Sequence, residues 1–203
     1  MKRTKEEAEE TRKSVLDAAL RVFSRKGYAA AALKEIAEEA GVTRGAIYHH
    51  FGNKEKLYAV LADDASAQEW ALVDLAIEEG GTFTEIISRI MIYHANLLED
   101  DPRYREVVML TLTSSQASSG PAALTERQYL EAKAVVDQVA GYFQMGIAHG
   151  ELREDLDAYA GARAMLSLQN GLAYLWLANR DAFSLKESAP ALIDVFLKGI
   201  APR

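Results

Sequence analysis

Between residues 33 and 51 the chain reads LKEIAEEAGVTRGAIYHHF, and several side chains in this stretch could do chemistry on a polyanion. Arg44 carries a planar fork of N–H donors that matches the paired acceptors on the major-groove edge of guanine. Tyr48 and His49 are donors suited to phosphate oxygens, and so is Lys54 just beyond them. Gly45 lets a backbone approach closely, while Thr43 can cap a helix so that its N-terminus and positive dipole end face phosphate. Loss of Arg44 is then expected to relax one base preference by ~1–3 kcal/mol, and loss of Lys54 to lower affinity evenly and flatten the salt dependence. His50 is read as packing on a neighbouring helix, without a contact role.

Such side chains need a frame, and the spacing around them supplies one. Ala37 is small where two helices must approach, Gly41 can take the positive φ that turns the chain, and Ile47 is an apolar plug for the helix that follows. Small, glycine and apolar residues at these intervals make the helix-turn-helix pattern, in which the second helix enters the major groove. Upstream, Val15, Leu16, Ala19, Val22 and Phe23 form one stripe closed by Gly27. Short helices are predicted over about 33–40 and 44–50.

Charge has to be divided before it is weighed. The 203 residues carry a net charge of -7, which argues against nucleic acid as a partner. Residues 1–57, however, hold 12 Lys and Arg against 9 Asp and Glu, a net of +3, leaving -10 for the rest. A basic head therefore sits on an acidic body. Lys2, Arg3 and Lys5 read either as a basic arm for the minor groove or as a disordered tail.

The remainder is helical in composition and period. There are 34 Ala and 23 Leu but four Pro, none in the first 101 residues. Asn53 can cap a long fourth helix reaching Gly80-Gly81, and Thr82 with Glu85 has the spacing of a capping box. Asp101-Pro102 stops the fifth helix and starts a sixth. Ser114 to Pro121 is the loosest stretch. A seventh helix ends at Gly150, an eighth spans about 156–179 and a ninth about 188–199. Ala164 to Asn179 is free of formal charge and apolar on two sides, so one side faces the chain's own core and the other needs a second partner. A copy of the chain is the simplest one, against the alternative of a central helix wrapped by its own neighbours.

The residues now in place resemble the TetR family of transcriptional regulators. The family's signature is matched by Gly27, Ile36-Ala37, Ala40-Gly41-Val42-Thr43, Gly45, Ile47-Tyr48, His50-Phe51, Asn53-Lys54-Glu55 and Leu57. The opening, Arg3-Thr-Lys-Glu-Glu-Ala with Glu10-Thr-Arg, further resembles the multidrug-efflux repressor branch, and Gly171-Leu, Trp176-Leu and Phe183-Ser-Leu-Lys do so more loosely. The resemblance implies operator contacts from Thr43, Arg44, Gly45, Tyr48, His49 and Lys54. It also implies an effector pocket enclosed by the fourth to eighth helices. One departure stands out: where the family has Thr or Ser before the second helix, this chain has Ala29 to Ala32, so the cap and DNA contact made there are not carried over.

Enzyme readings fail on spacing. No Glu lies three residues before His49, His94 or His149, and there is no H-E-x-x-H, phosphate-binding loop or G-x-S-x-G. Neighbouring carboxylates such as Glu38-Glu39 point apart and read as solvated faces. With no Cys, thiolate metal sites and thiol nucleophiles are excluded. No catalysis, metal or cofactor is expected. Polar and aromatic residues on stripes that should be pure core suggest a ligand site, with His94 as its polar anchor. Gln169 and Asn170 interrupt the apolar eighth helix, and Trp70, Met109, Tyr142, Phe143 and Trp176 could add adaptable walls. Taken singly, each is also explained by core packing.

The expectation is an all-α protein of about nine helices, with a DNA-binding domain over 1–53 and a ligand-binding and dimerisation domain over 54–203. Its partners would be a pseudo-palindromic duplex operator, a small apolar or aromatic effector that releases it, and a second copy through the last two helices. A cytoplasmic location and no membrane partner are expected from the charged N-terminus and the lack of an apolar span. Alternatives are an activator or lipid-type metabolic regulator of the same fold, or a helical ligand-binding protein or enzyme without DNA binding.

Overall fold

The computed structural model describes residues 5–116 and 122–202. Nine helices and no strand occur among them: α1 (Lys5–Ala30), α2 (Leu33–Ala40), α3 (Arg44–Phe51), α4 (Lys54–Glu78), α5 (Phe83–Asp100), α6 (Pro102–Gln116), α7 (Ala122–Ala148), α8 (Ala158–Ala178) and α9 (Leu185–Ile200). The all-α expectation is met. Lys5 opens α1, whereas Lys2, Arg3 and residues 117–121 of the loose stretch lie outside the described residues. The described residues form two compact units, one of 5–67 with 106–116 and 122–124 and one of 68–105 with 125–202.

The first unit is built around α1. Its stripe Val15, Leu16, Ala19, Val22 and Phe23 is buried, together with Ile36, Ala37, Ile47, Phe51, Leu57 and Leu61. These are the apolar positions that the sequence spacing places inward. Gly27 breaks α1 as expected, adopting φ 75° and ψ 160°. Gly41 takes φ 67° after α2, and the N–H groups of Gly41 and Val42 close the helix end onto Glu38 O and Ala37 O at 3.2 and 2.9 Å. Left-handed backbone at a helix end is easiest for glycine, which lacks a Cβ to clash.

In the second unit α5 lies along α9, and α8 packs on both. Thr82 and Glu85 form the capping box: the Thr82 N–H donates to Glu85 Oε2 at 2.8 Å, and Thr82 Oγ1 accepts from Glu85 N at 3.4 Å. Asp157 caps α8 by accepting from Ala160 N at 2.9 Å. Ser184 caps α9 by accepting from Glu187 N, so that helix starts three residues before the sequence estimate. The two apolar sides of α8 separate. Ala162, Met165, Ala173 and Trp176 are buried, whereas Ala164 and Leu175 are exposed, Leu175 at 63%. On α9, Val195 is 71% exposed. No described helix is long and apolar enough to cross a membrane.

Three helices share a device that their own sequences lack. None of α1, α4 and α5 has a basic residue in its last turn. Each instead has terminal carbonyls held by a cation from elsewhere: Lys54 for α1, Arg89 for α4, and Arg105 for α5. Arg89 reaches Ala76 O and Gly80 O at 2.7 and 2.8 Å, and Arg105 reaches Leu98 O at 3.0 Å and Glu99 O. The last carbonyls of a helix have no partners within it and carry partial negative charge, so a basic group there both satisfies and neutralises them.

Candidate nucleic-acid interface and effector site

Thr43 sits in extended conformation before α3, and its Oγ1 accepts from Ala46 N at 3.2 Å. This cap fixes where α3 begins. With Ile47 and Phe51 buried, the helix is seated by one face, and Arg44, Gly45, Tyr48 and His49 are all exposed on the other. Tyr48 is 47% exposed, unusual for an aromatic ring that could have packed inward. A Cβ built on Gly45 would meet only Thr43 Oγ1, at 3.7 Å, an ordinary contact. Nothing inside the chain requires glycine there, although glycine in a helix costs about 0.5–1 kcal/mol relative to Ala. The missing side chain leaves room outside the protein.

His50 is half-buried, with its ring 5.4 Å from that of His49 and 6.2 Å from that of Phe51, in keeping with a packing role. Behind α3, Glu39 of α2 is clamped by α1. Arg25 donates to its two oxygens at 3.2 and 2.5 Å, and Arg21 Nε donates at 2.7 Å. These hydrogen bonds, Arg25 first and then Arg21, hold the Glu39 carboxyl down to about 2. The carboxylate that the sequence reads as a solvated face is thus the hinge pin between two helices.

Lys54 stands apart from the rest of the expected contact set. Its Nζ donates to Tyr28 O, Ala31 O and Ala29 O at 2.8, 2.9 and 3.3 Å and lies 4.6 Å over the Tyr28 ring. Burial pushes the ammonium below its ordinary range.

The corner lacking hydroxyls has a substitute cap. Ala32 has no side chain with which to cap α2, but its own N–H donates to Glu35 Oε2 at 3.3 Å. Lys26 holds the other Glu35 oxygen, and that bond with the Ala32 N–H lowers the Glu35 carboxyl. Half of a capping box therefore survives.

Of the eight residues expected to bind an effector, two line one cavity. His94 and Gln169 face a crevice shared with Met91, Leu98, Leu168 and Leu172. Its volume is about 10 Å³, room for one water at most. Phe143 is fully buried, edge-on to Phe83 at 5.4 Å and against Gly161, where a Cβ would come within 2.6 Å of its ring. Trp176 is buried beneath the Arg105 guanidinium at 5.2 Å. Trp70 and Tyr142 are half-buried, while Met109 and Asn170 are exposed. The set is not gathered into one open pocket.

A polar cluster near His94 escapes sequence reading. Tyr104 is fully buried, and its hydroxyl donates to Glu69 Oε1, from which His94 Nε2 is 3.7 Å away. Burial, then the neighbouring carboxylate, drives the Tyr104 hydroxyl far above its ordinary range. Partial burial raises the Glu69 carboxyl, but His94 and Tyr104 together outweigh it and hold Glu69 below its own range. The three residues lie on different helices, so no local spacing announces them.

Comparison with known proteins agrees with this geometry. Residues 15–61 match the bacterial regulatory proteins of the tetR family, and residues 84–201 match the C-terminal region of MAATS-type transcriptional repressors. The HTH-type transcriptional regulator TtgR of Pseudomonas putida is 31% identical over 205 residues, covering 97% of this chain and 94% of that protein. The fatty acid metabolism regulator protein of Bacillus subtilis is 26% identical over 188 residues, covering 92% and 93%. A solved complex of SmeT with triclosan is 27% identical with a TM-score of 0.81, covering 94% of this chain and 91% of that one. SmeT is described as the repressor of the Stenotrophomonas maltophilia multidrug efflux pump SmeDEF. With both parts matched, this chain belongs to the TetR family of bacterial transcriptional regulators.

Proposed function

We propose that the protein is a homodimeric repressor that leaves its operator when a small apolar or aromatic molecule binds its C-terminal domain. The observation that carries the reading is the outward face of α3, where Arg44, Gly45, Tyr48 and His49 are exposed and Thr43 caps the helix. Arg44 reads guanine, Tyr48 and His49 hold phosphates, and Gly45 makes room for them. The division into a DNA-binding part over 1–53 and an effector and dimerisation part over 54–203 belongs to the same proposal. Two copies pair through the apolar faces of α8 and α9, which supports a pseudo-palindromic operator with half-sites about 34–36 Å apart or a multiple.

The tight crevice beside His94 supports release by effector. A ligand larger than water needs the body to open, so it favours a state different from the closed one. If that state holds the two reading helices at the wrong spacing, ligand and DNA oppose each other equally, with a coupling of about 1–3 kcal/mol. SmeT was solved with triclosan, which makes apolar aromatic molecules the first class to try. The Bacillus subtilis relative favours a second reading, in which the effector comes from fatty acid metabolism.

The test is operator affinity, first on duplexes selected from a random pool and then with saturating effector. Triclosan and a long-chain acyl thioester represent the two ligand classes. A drop of about tenfold or more with one of them fits the coupling range and names the class. Unchanged affinity with both, and with a wider panel of apolar aromatics, removes release by effector.

A further inference from the structure

We infer that Lys54 is a positioning residue of the reading head, which clamps the corner before α2 to the start of α4 and does not hold a DNA phosphate. The inference rests on the DNA-binding reading proposed above and reassigns one residue within it.

The argument starts from the number of donors. A lysine ammonium has three protons and no acceptor. Here three backbone carbonyls, of Tyr28, Ala29 and Ala31, lie at 2.8, 3.3 and 2.9 Å from Nζ, and the Tyr28 ring covers the ion at 4.6 Å. All three protons are engaged within the protein, and none is left to meet a phosphate oxygen.

The carbonyls need that donor. Gly27 breaks α1, so the turn from Tyr28 to Ala31 ends without a next helical turn whose N–H groups would donate to its carbonyls. Residues 29 to 32 are all Ala, so none of their own side chains can bond to the backbone. A hydroxyl at this place would tie the corner locally. In its absence Glu35 accepts from the Ala32 N–H, and the carbonyls are tied by a residue 23 to 26 positions away.

Its position gives the tie a function. Lys54 is the first residue of α4, three beyond the end of α3, and the corner it grips leads directly into α2. The side chain therefore closes a ring around the whole two-helix unit, holding its entry to its exit. What it fixes is the placement of α3, and with it the face of Arg44 and Tyr48. Tyr28 in turn packs edge-on to Tyr58 at 5.1 Å, which ties the same corner to the next turn of α4.

The experiment compares Lys54→Met and Lys54→Gln in the full chain, measuring affinity for a selected duplex at several salt concentrations. Gln supplies two uncharged N–H donors and Met none. Hydrogen exchange of the amides from Ala32 to Glu35 is followed in the free proteins. A phosphate contact counts as a slope change of about 0.9 in log affinity against log salt. The clamp is expected to lower affinity about tenfold in Lys54→Met at every salt with an unchanged slope, which corresponds to about 1.4 kcal/mol. Lys54→Gln recovers part of the loss, and exchange quickens in Lys54→Met more than in Lys54→Gln. A slope lower by about 0.9 in both variants, whatever the exchange does, overturns the assignment. Unchanged affinity in both variants overturns it as well. If Lys54→Met does not fold, slope and exchange in Lys54→Gln decide alone. Failure of the unaltered protein to bind any duplex removes the DNA-binding reading, a separate result; unchanged exchange in Lys54→Met then still overturns the clamp.

Discussion

The Arg25 guanidinium meets the Glu39 carboxylate at two points, 2.5 and 3.2 Å, and so joins the last helical turns of α1 to α2. Two-point contact fixes direction as well as distance, and Arg21 adds a third bond to the same carboxylate at 2.7 Å. The reading head is therefore held by charge at its outer edge and by Ile36, Ile47 and Leu57 at its centre.

A pH dependence follows with a definite sign. Glu39 has its carboxyl lowered from 4.5 to about 2 in the folded chain, so its stabilising contribution is present above 4.5 and is lost as pH falls towards 2. The thermal midpoints of the unaltered protein and Glu39→Gln are expected to differ at neutral pH and to converge through this window. A difference that stays constant down to pH 2 would show that Glu39 acts by shape alone.

Gly45 and Gly161 are expected to respond in opposite ways to replacement by Ala. At Gly45 the added Cβ meets only Thr43 Oγ1 at 3.7 Å, so the free protein gains about 0.5–1 kcal/mol of stability. Operator affinity should fall nonetheless, because the methyl group fills the space left for the duplex. At Gly161 the Cβ lies 2.6 Å from the buried Phe143 ring, and overpacking costs about 1–3 kcal/mol. Denaturant unfolding of both variants with operator titration of Gly45→Ala checks the pair; tighter operator binding by Gly45→Ala would refute the spacing role.

Tyr104→Phe removes the hydroxyl that the Glu69 carboxylate accepts, with no change in ring volume. Tyr104 is fully buried, while the Glu69 side chain is 46% exposed, so water can replace part of what Glu69 loses. The expected cost is about 1 kcal/mol in chemical denaturation. A neutral result would mean that solvent at Glu69 makes up the whole bond.

Much of the fold was legible from local chemistry. Gly27, Gly41, the Thr82 and Glu85 pair and Asp101-Pro102 each state where a helix stops or starts, and each did so in the structure. The exposed face of α3 was legible too, since the seating of Ile47 dictates which neighbours face out. Long-range side-chain contacts were not. Lys54 reads as a phosphate donor because it is a cation close in sequence to the residues expected to contact DNA, and only the missing hydroxyls at 29 to 32 hint that distant carbonyls need it. Glu69, His94 and Tyr104 meet across three helices, which no spacing rule reaches. The effector set mixed true neighbours such as His94 and Gln169 with aromatics that each fill a different place, because an aromatic on an apolar stripe looks the same whether it packs or binds.

The pairing proposed for α8 and α9 is open to direct test. Leu175→Glu with Val195→Glu places charge on two side chains that are exposed in the single chain, so the fold should persist. Sedimentation is expected to give half the mass of the unaltered protein, with weaker operator binding. An unchanged mass would place the second copy elsewhere.

The central claim is that the outer face of α3 reads a base sequence. Its most direct test is to select duplexes from a random pool with the unaltered protein and then titrate it and Arg44→Ala against the selected site and each single-position variant. The account expects two inverted half-sites, and in Arg44→Ala a loss of discrimination of ~1–3 kcal/mol confined to one base pair in each. Equal weakening on every duplex, or binding without any sequence preference by the unaltered protein, would contradict it.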